Sequence, residues 1–351
     1  MKIIIDKAKN QLVQNLPFVL YKKPKDSNII GLFQKNDTVF SVNDFTEKGF
    51  VFASFDGSKT FLIPENESEI VSAIFQKKEI TILEKNQDVP NEAAKNQFET
   101  LVAKGIQAIE NNEFKKVVLS RKESLNLVDF DLITAFEKLV QLYPTAFVYC
   151  FYHPKIGTWL GATPEQLLKA NDTQFQTIAL AGTQKETGSN EVIWPKKEQE
   201  EQQFVTDYIV EKLKEVASEV LVSKPFSFKA GSIWHIKTDI SGTLNSGSSL
   251  QKVIQLLHPT PAVCGFPKEQ SKEFIIENEN YNRNFYTGFL GELNIKNQTD
   301  LFVNLRCMEI DEAQAHLFMG CGITKDSIPE KEWEESKNKS ATMKRILDFR
   351  F

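Results

Sequence analysis

Two residues of this 351-residue chain stand where proton transfer could be organised. Lys116 opens the run Lys116-Val-Val-Leu-Ser-Arg121, and Glu165 closes Gly161-Ala-Thr-Pro-Glu165. Strand alternation sends Lys116, Val118 and Ser120 to one face, and Val117, Leu119 and Arg121 to the other. A lysine so placed points to solvent or into a cleft, and solvent is the commoner outcome. In a cleft it serves as a base only if burial or nearby cations lower its pKa. Pro164 fixes the backbone ahead of Glu165, so the carboxyl is aimed rather than trailing. A first-turn helical glutamate favoured by the macrodipole accounts for the same pattern.

Other spacings suggest ligands for ions. Glu198 and Glu201 are three apart, as are Glu332 and Glu335, so each pair can share one helix face. Such carboxylates are usually solvated charge, the reading given to Glu200 and Glu334. As hard oxygens they also suit Mg²⁺, which binds a few carboxylates together with waters and substrate oxygens. Arg306 ends the run Val303-Asn-Leu-Arg306, where a guanidinium needs a partner. Gly320 and Gly322 flank Cys321 and let backbone N–H groups approach an anion. The stretch His258–Pro267 carries prolines at 259, 261 and 267, so it is a rigid loop, neither helix nor central strand.

These residues need a scaffold. Residues 1 to about 90 read as short strands, among them Asn28–Phe33, Thr38–Ser41 and Phe50–Phe55, separated by polar turns. Helical spacing is expected over Glu92–Glu110, Phe130–Leu142, Trp194–Ser218, Leu250–Leu257 and Pro329–Leu347, with Phe204, Tyr208, Ile209 and Leu213 facing inward from the third. Strands are expected at Phe114–Arg121, Thr145–Tyr152, Gln174–Leu180, Ser232–Leu244, Phe285–Leu293, Thr299–Ile310 and Ala313–Cys321, and Pro164–Leu168 at a tight turn or helix start. Strands and helices alternate without a βαβ rhythm, which predicts an α+β fold with large antiparallel sheets.

Composition narrows the class. With 41% hydrophobic and 25% charged residues, the chain has the make-up of a soluble globular protein. The net charge of −5 and the lack of a Lys/Arg run speak against nucleic acid as a partner. The opening apolar run is broken by Asp6 and Lys7, and no run approaches the roughly 18 apolar residues of a membrane span. Cysteines 150, 264, 307 and 321 are dispersed in apolar surroundings, as reduced core residues would be. A cytoplasmic location is expected.

Taken in order, Lys116–Arg121, Gly161–Glu165, Leu180-Ala-Gly-Thr183, the His258–Pro267 loop and Glu332-Trp-Glu-Glu335 resemble the chorismate-utilising enzymes. The His-Pro-Thr-Pro-Ala loop is similar to that of the isochorismate synthase branch. The likeness covers about residues 93–351, with residues 1–92 a variable N-terminal scaffold part of one domain, 1–351. It implies the aminodeoxychorismate synthase-like fold, in which stacked sheets are flanked by helices and the site lies in a cleft. It implies Lys116 as the base activating water and Glu165 as the acid protonating the departing C4 hydroxyl. Mg²⁺ would be held directly by Glu201 and Glu335, with Glu198 and Glu332 acting through water. Chorismate would meet Arg306 at its enolpyruvyl carboxylate, together with Thr183, Tyr286, Gly320, Gly322 and Lys339, and His258 near the ring. His235 also fits the family and is read as structural first. Gln202 departs from the histidine that the family commonly carries there, which puts that position's supporting role in doubt.

The resemblance also bears on the reaction. Aminodeoxychorismate synthases carry a lysine nucleophile where this chain has Ala181, so that route is disfavoured. Water addition at C2 with loss of the C4 hydroxyl, giving isochorismate, is expected. The alternatives are salicylate synthase, which also eliminates pyruvate, the large component of anthranilate synthase, and a non-catalytic chorismate-binding scaffold. A monomer without a glutaminase subunit is expected, and menaquinone and siderophore pathways stay equally open.

Overall fold

Several segments of this chain are apolar on both faces. Phe18–Lys22, Gly49–Ala53 and Phe147–His153 are buried at nearly every position, so each needs cover on two sides. In the computed structural model, which describes residues 1–77, 91–185, 192–230 and 233–347, two large antiparallel sheets cover one another and helices close the outside.

The chain opens with α1 (Lys2–Val13), β1 (Phe18–Lys22), β2 (Asn28–Gln34), β3 (Phe40–Ser41), β4 (Gly49–Ala53), β5 (Thr60–Pro64) and β6 (Ser68–Ile74). Next come α2 (Glu92–Glu110), β7 (Lys116–Asn126), α3 (Leu132–Leu142), β8 (Phe147–His153), β9 (Gly157–Thr163), β10 (Gln166–Asn171) and β11 (Gln174–Lys185). They are followed by α4 (Lys196–Leu213), β12 (Ala217–Val222), β13 (Phe226–Ala230), β14 (Ile233–Leu244), α5 (Leu250–Leu257) and β15 (Gly265–Phe266). The chain ends with α6 (Lys268–Asn278), β16 (Phe289–Ile295), β17 (Gln298–Val303), β18 (Cys307–Ile310), β19 (Gln314–Ile323) and α7 (Pro329–Lys344).

One sheet runs β15-β7-β19-β18-β9-β8-β1-β2-β6, and the other β12-β14-β11-β10-β17-β16-β4-β5-β3, with β13 also on β14. Alternation sorts their side chains. Tyr21, Phe147, Tyr149, Phe151 and Trp159 of the first sheet meet Phe50, Phe52 and Phe302 of the second in an aromatic core. The opposite face of the first sheet packs on α1 and α3 through Ile4, Phe136 and Leu139, and that of the second on α4 and α5 through Ile209, Leu213 and Ile254. A fourth cluster joins α2, α6 and α7 to β7 and β19. Among the described residues no helix is long and apolar enough to cross a membrane.

The chain changes sheets at two places that matter for the site. β9 pairs with β18 in the first sheet, while β10 pairs with β17 in the second. Glu165 lies in the first crossing and Arg306 in the second. Hydrogen bonds lock the crossings together: Thr163 Oγ1 donates to the Val303 carbonyl at 2.6 Å, and Val303 N–H donates to the Glu165 carbonyl at 2.9 Å. Arg306 takes a left-handed φ of 47°, a strained conformation for a side-chain-bearing residue.

The α+β class with large antiparallel sheets is as expected, but several elements differ. Residues 2–13 form a helix, because Ile4, Ala8 and Gln11 repeat at helical spacing and bury one face. Glu165 stands between two strands and not at a helix start. The expected strand 299–310 is two strands in different sheets. Phe204 is 53% exposed, its inward place taken by Val205, and its ring carries the Lys115 ammonium 5.2 Å from the centroid.

Candidate active site

Lys116 begins β7 and projects across the sheet edge to α4, where its ammonium is ion-paired with Glu201. Only 14% of the lysine side chain is exposed. Room for it comes from Gly322 on the neighbouring strand β19. A Cβ there would lie 3.1 Å from Lys116 Cε. Gly322→Ala should therefore displace the lysine by a few tenths of an ångström and leave the fold intact. We expect kcat to fall about tenfold, since sub-ångström misplacement is costly in proton transfer. Turnover measured beside circular dichroism checks this.

Glu165 keeps partial access to solvent from its crossing, yet the protein packed around it is dense. Burial pushes its carboxyl up to about 7, against the pull of Lys116, Arg306 and Lys339. A group so poised is protonated for a good part of the time at neutral pH, as a proton donor must be. Arg306 is lowered by burial from its ordinary value, with Tyr286, Glu335 and Glu165 among the groups opposing that, and remains a cation. Tyr286 is buried beneath Gly320, whose absent side chain leaves space for the phenol; a Cβ there would stand 3.0 Å from the hydroxyl oxygen. Burial pushes that hydroxyl well above its usual range, so it persists as a donor.

Helix α7 supplies the remaining charges. Lys339 donates to the Gly320 carbonyl at 2.7 Å and pairs with Glu335 at 2.6 Å, one helical turn away. Burial would raise the Glu335 carboxyl, but the Lys339 ammonium bonded to it and Arg306 outweigh this and hold the group below its ordinary value. Gly320 and Gly322 thus sit within the β7–β19 ladder and leave space for Tyr286 and Lys116. Their backbone groups point away from β7, since Ser120 and Val118 opposite them bond along the outer edge of that strand, and the Gly320 carbonyl is the one that accepts from Lys339.

A hard cation fits the donor set. Glu332 and Glu335 place carboxylate oxygens within 4.8 Å of one another and of Cys321 Sγ. Burial lifts the Cys321 thiol to about 12, so it stays protonated and is no partner for an oxygen-seeking ion. On the α4 side, Glu201 faces Lys116, and Glu198 Oε2 would be 3.2 Å from a Cβ at Gly182. Glu200 and Glu334 are exposed and pair with Lys196 and Lys337, the solvated outcome expected for them. Gln202 is buried and donates to Thr206 and Thr238, clamping α4 onto β14.

The two histidines have different surroundings. His235 on β14 donates Nδ1–H to the Gly182 carbonyl at 2.9 Å. Burial holds it below its ordinary value; the Gly182 carbonyl opposes this and Arg306 and Lys339 reinforce it, so it belongs to this charged cluster as a neutral imidazole. The Gly182 φ of +72°, which favours glycine, is what turns that carbonyl. His258 instead points Nε2 at the carbonyls of Ser54 (3.2 Å) and Phe55 (3.1 Å), with its ring edge-to-face on Phe289. Burial lowers it to about 4. It lines a cavity of about 330 Å³ with Asp56, Lys268 and Lys272, whose wall includes none of Lys116, Glu165, Glu201, Arg306, Glu335 and Lys339. Its Nε2 is held by the carbonyls that follow β4, and the contact with the substrate ring stays an expectation. Thr183 lies in β11, and its side chain is outside the described residues.

Residues 53–348 match the family described as chorismate binding enzyme. The chain belongs to that family. The match starts at the end of β4, before residue 93; β4 lies beside β16 in the second sheet. Over 263 residues the chain is 32% identical to isochorismate synthase EntC of Escherichia coli (strain K12), covering 71% of this chain and 66% of that relative, just under two thirds of its length. Two solved structures share the fold. The putative 2,3-dihydroxybenzoate-specific isochorismate synthase DhbC from Bacillus anthracis superposes with a TM-score of 0.78 at 23% identity, covering 97% of this chain and 100% of that one. The menaquinone-specific isochorismate synthase MenF from Escherichia coli gives 0.80 at 21% identity, covering 95% and 89%.

Proposed function

We propose that this chorismate binding enzyme isomerises chorismate to isochorismate, with Mg²⁺ as its cofactor. The observation that carries the reading is a half-buried, densely surrounded carboxyl poised near 7, Glu165, standing in the field of Lys116, Arg306 and Lys339. Three cations around one proton donor suit a small dianion whose hydroxyl must leave with a proton. Chorismate has two carboxylates and an allylic C4 hydroxyl.

Arg306 and Lys339 hold the carboxylates, and the buried Tyr286 hydroxyl adds a neutral donor. Lys116, having released Glu201 and a proton, accepts a proton from water as its oxygen bonds to C2. The ring double bonds shift, the C4–O bond breaks, and Glu165 gives its proton to the departing hydroxyl, which leaves as water. Lys116 ends one proton richer and Glu165 one poorer, and exchange with solvent resets both. His235, neutral and fixed at Gly182, keeps Nε2 available as an acceptor beside the reacting groups. Glu201 and Glu335, helped by Glu198 and Glu332, would hold Mg²⁺, which neutralises carboxylate charge and so favours binding of the dianion.

Product analysis tests the reading. Purified protein with chorismate and Mg²⁺ should yield isochorismate, unchanged by ammonium. Salicylate with stoichiometric pyruvate would move it to the lyase alternative, and anthranilate formed only with ammonium would overturn the choice of water as nucleophile. For the metal, Glu335→Gln should raise the Mg²⁺ concentration giving half-maximal turnover at least tenfold, in line with losing one carboxylate ligand. Activity indifferent to EDTA would refute the assignment.

A further inference from the structure

The strand that carries Lys116 has an incomplete outer edge. Its neighbour β15 is only two residues long and pairs with Lys116 and Val117, after which Val118 N–H donates to the Cys264 carbonyl at 2.8 Å. Beyond that point the Val118 carbonyl and the Ser120 N–H face this edge with no paired strand among the described residues. Buried and unpaired, they would be costly.

Two side chains take the missing strand's place. Arg283 Nη2 donates to the Val118 carbonyl at 2.6 Å, and Glu279 Oε1 accepts from Ser120 N–H at 2.7 Å and Ser120 Oγ at 2.8 Å. The pair is bidentate, with Nε–Oε2 at 2.8 Å and Nη2–Oε1 at 2.6 Å, and both side chains are almost wholly buried. Arg283 Nη1 reaches the Val263 carbonyl at 3.0 Å and Thr287 Oγ1 at 3.3 Å. All five guanidinium N–H groups therefore have acceptors, a planar pattern that a lysine cannot reproduce.

We propose that Glu279 and Arg283 form a positioning unit that ties β7 to the 258–267 loop and thereby sets where Lys116 stands. The unit grips β7 two residues from Lys116 and the loop at Val263, two residues before the loop's short pairing with β7 begins at Gly265. Ser271 Oγ completes the grip by donating to the Lys116 carbonyl at 2.8 Å. Neither Glu279 nor Arg283 touches the reacting groups, so their effect passes through the strand. The inference rests on Lys116 acting as the base.

The test uses the full chain carrying Arg283→Lys or, separately, Glu279→Gln, each a conservative change that retains part of the bonding. Folded fraction by near-UV circular dichroism, thermal midpoint, kcat and KM for chorismate are measured together. An ångström-scale loosening of β7 predicts a fall in kcat of about 10–100-fold per folded molecule with KM within about threefold. An Arg283→Ala variant, where it folds, should regain kcat in a saturable way on adding guanidinium ion. Unchanged kcat per folded molecule with a lowered thermal midpoint would make the pair purely a scaffold and overturn the proposal, as would a rise confined to KM. If Lys116→Gln itself leaves turnover intact, the base assignment fails, whatever the Arg283 variants do.

Discussion

Glu165→Gln should lose activity and gain stability at the same time. Gln cannot donate the proton that the departing hydroxyl needs, so kcat should drop by about 10²–10⁴-fold. The stability gain follows from the carboxyl's environment. Its pKa is about 7 in the folded chain against an ordinary 4.5, because burial penalises the charged form. Between those values the native state binds more protons than the unfolded one, so stability falls as pH rises from 4.5 towards 7 and the cost is fully present above 7. That cost is about 3 kcal/mol, and the amide does not incur it. Denaturant unfolding at pH 5 and pH 8 should show the wild type losing stability relative to the variant on going to the higher pH. The wild-type rate should also decline as pH rises through about 7, when the acid loses its proton. A variant with the same pH-dependent stability as wild type would mean that the carboxyl is not held up by burial.

Lys116→Gln should be equally inactive by a different route. Removing the base should lower kcat by about 10²–10⁴-fold, with chorismate still bound through Arg306 and Lys339. The informative partner is Lys116→Arg. Arginine keeps a cation near Glu201 but does not give up its proton at any working pH. Both variants should therefore be inactive if Lys116 moves a proton, whereas an active Lys116→Arg would show that only its charge is needed. Steady-state rates and equilibrium chorismate binding, measured on both variants, separate these outcomes.

Much of the charged cluster was legible because its residues sit in runs with strong local constraints. Lys116 opens an apolar strand, Pro164 precedes Glu165, and the glutamate pairs recur at helical spacing. The spacing put each glutamate pair on one face and the resemblance singled out Glu201 and Glu335, which pair with Lys116 and Lys339, while Glu200 and Glu334 are exposed as expected. What local pattern could not reveal depends on partners far along the chain. His258 and His235 are indistinguishable by neighbours, but one is captured by carbonyls about 200 residues earlier and the other by a carbonyl on an adjacent strand. Residues 299–310 read as one strand because nothing local marks the change of sheet; the left-handed Arg306 is visible only once β17 and β18 have separate partners. The Glu279–Arg283 pair looks like any i,i+4 salt bridge, since its role depends on β15 being too short to complete the edge of β7. In the N-terminal part β2 and β4 were legible as short apolar runs, whereas α1 was not read as a helix.

The central claim is that solvent water supplies the new hydroxyl while the C4 hydroxyl departs. Turnover of chorismate with Mg²⁺ in ¹⁸O-enriched water, followed by mass spectrometry of the product, tests it most directly. Isochorismate carrying one ¹⁸O atom, at the ring carbon that was attacked, is the predicted result. Unlabelled isochorismate would mean that the original hydroxyl is transferred within the molecule, and the roles of Lys116 and Glu165 would have to be abandoned.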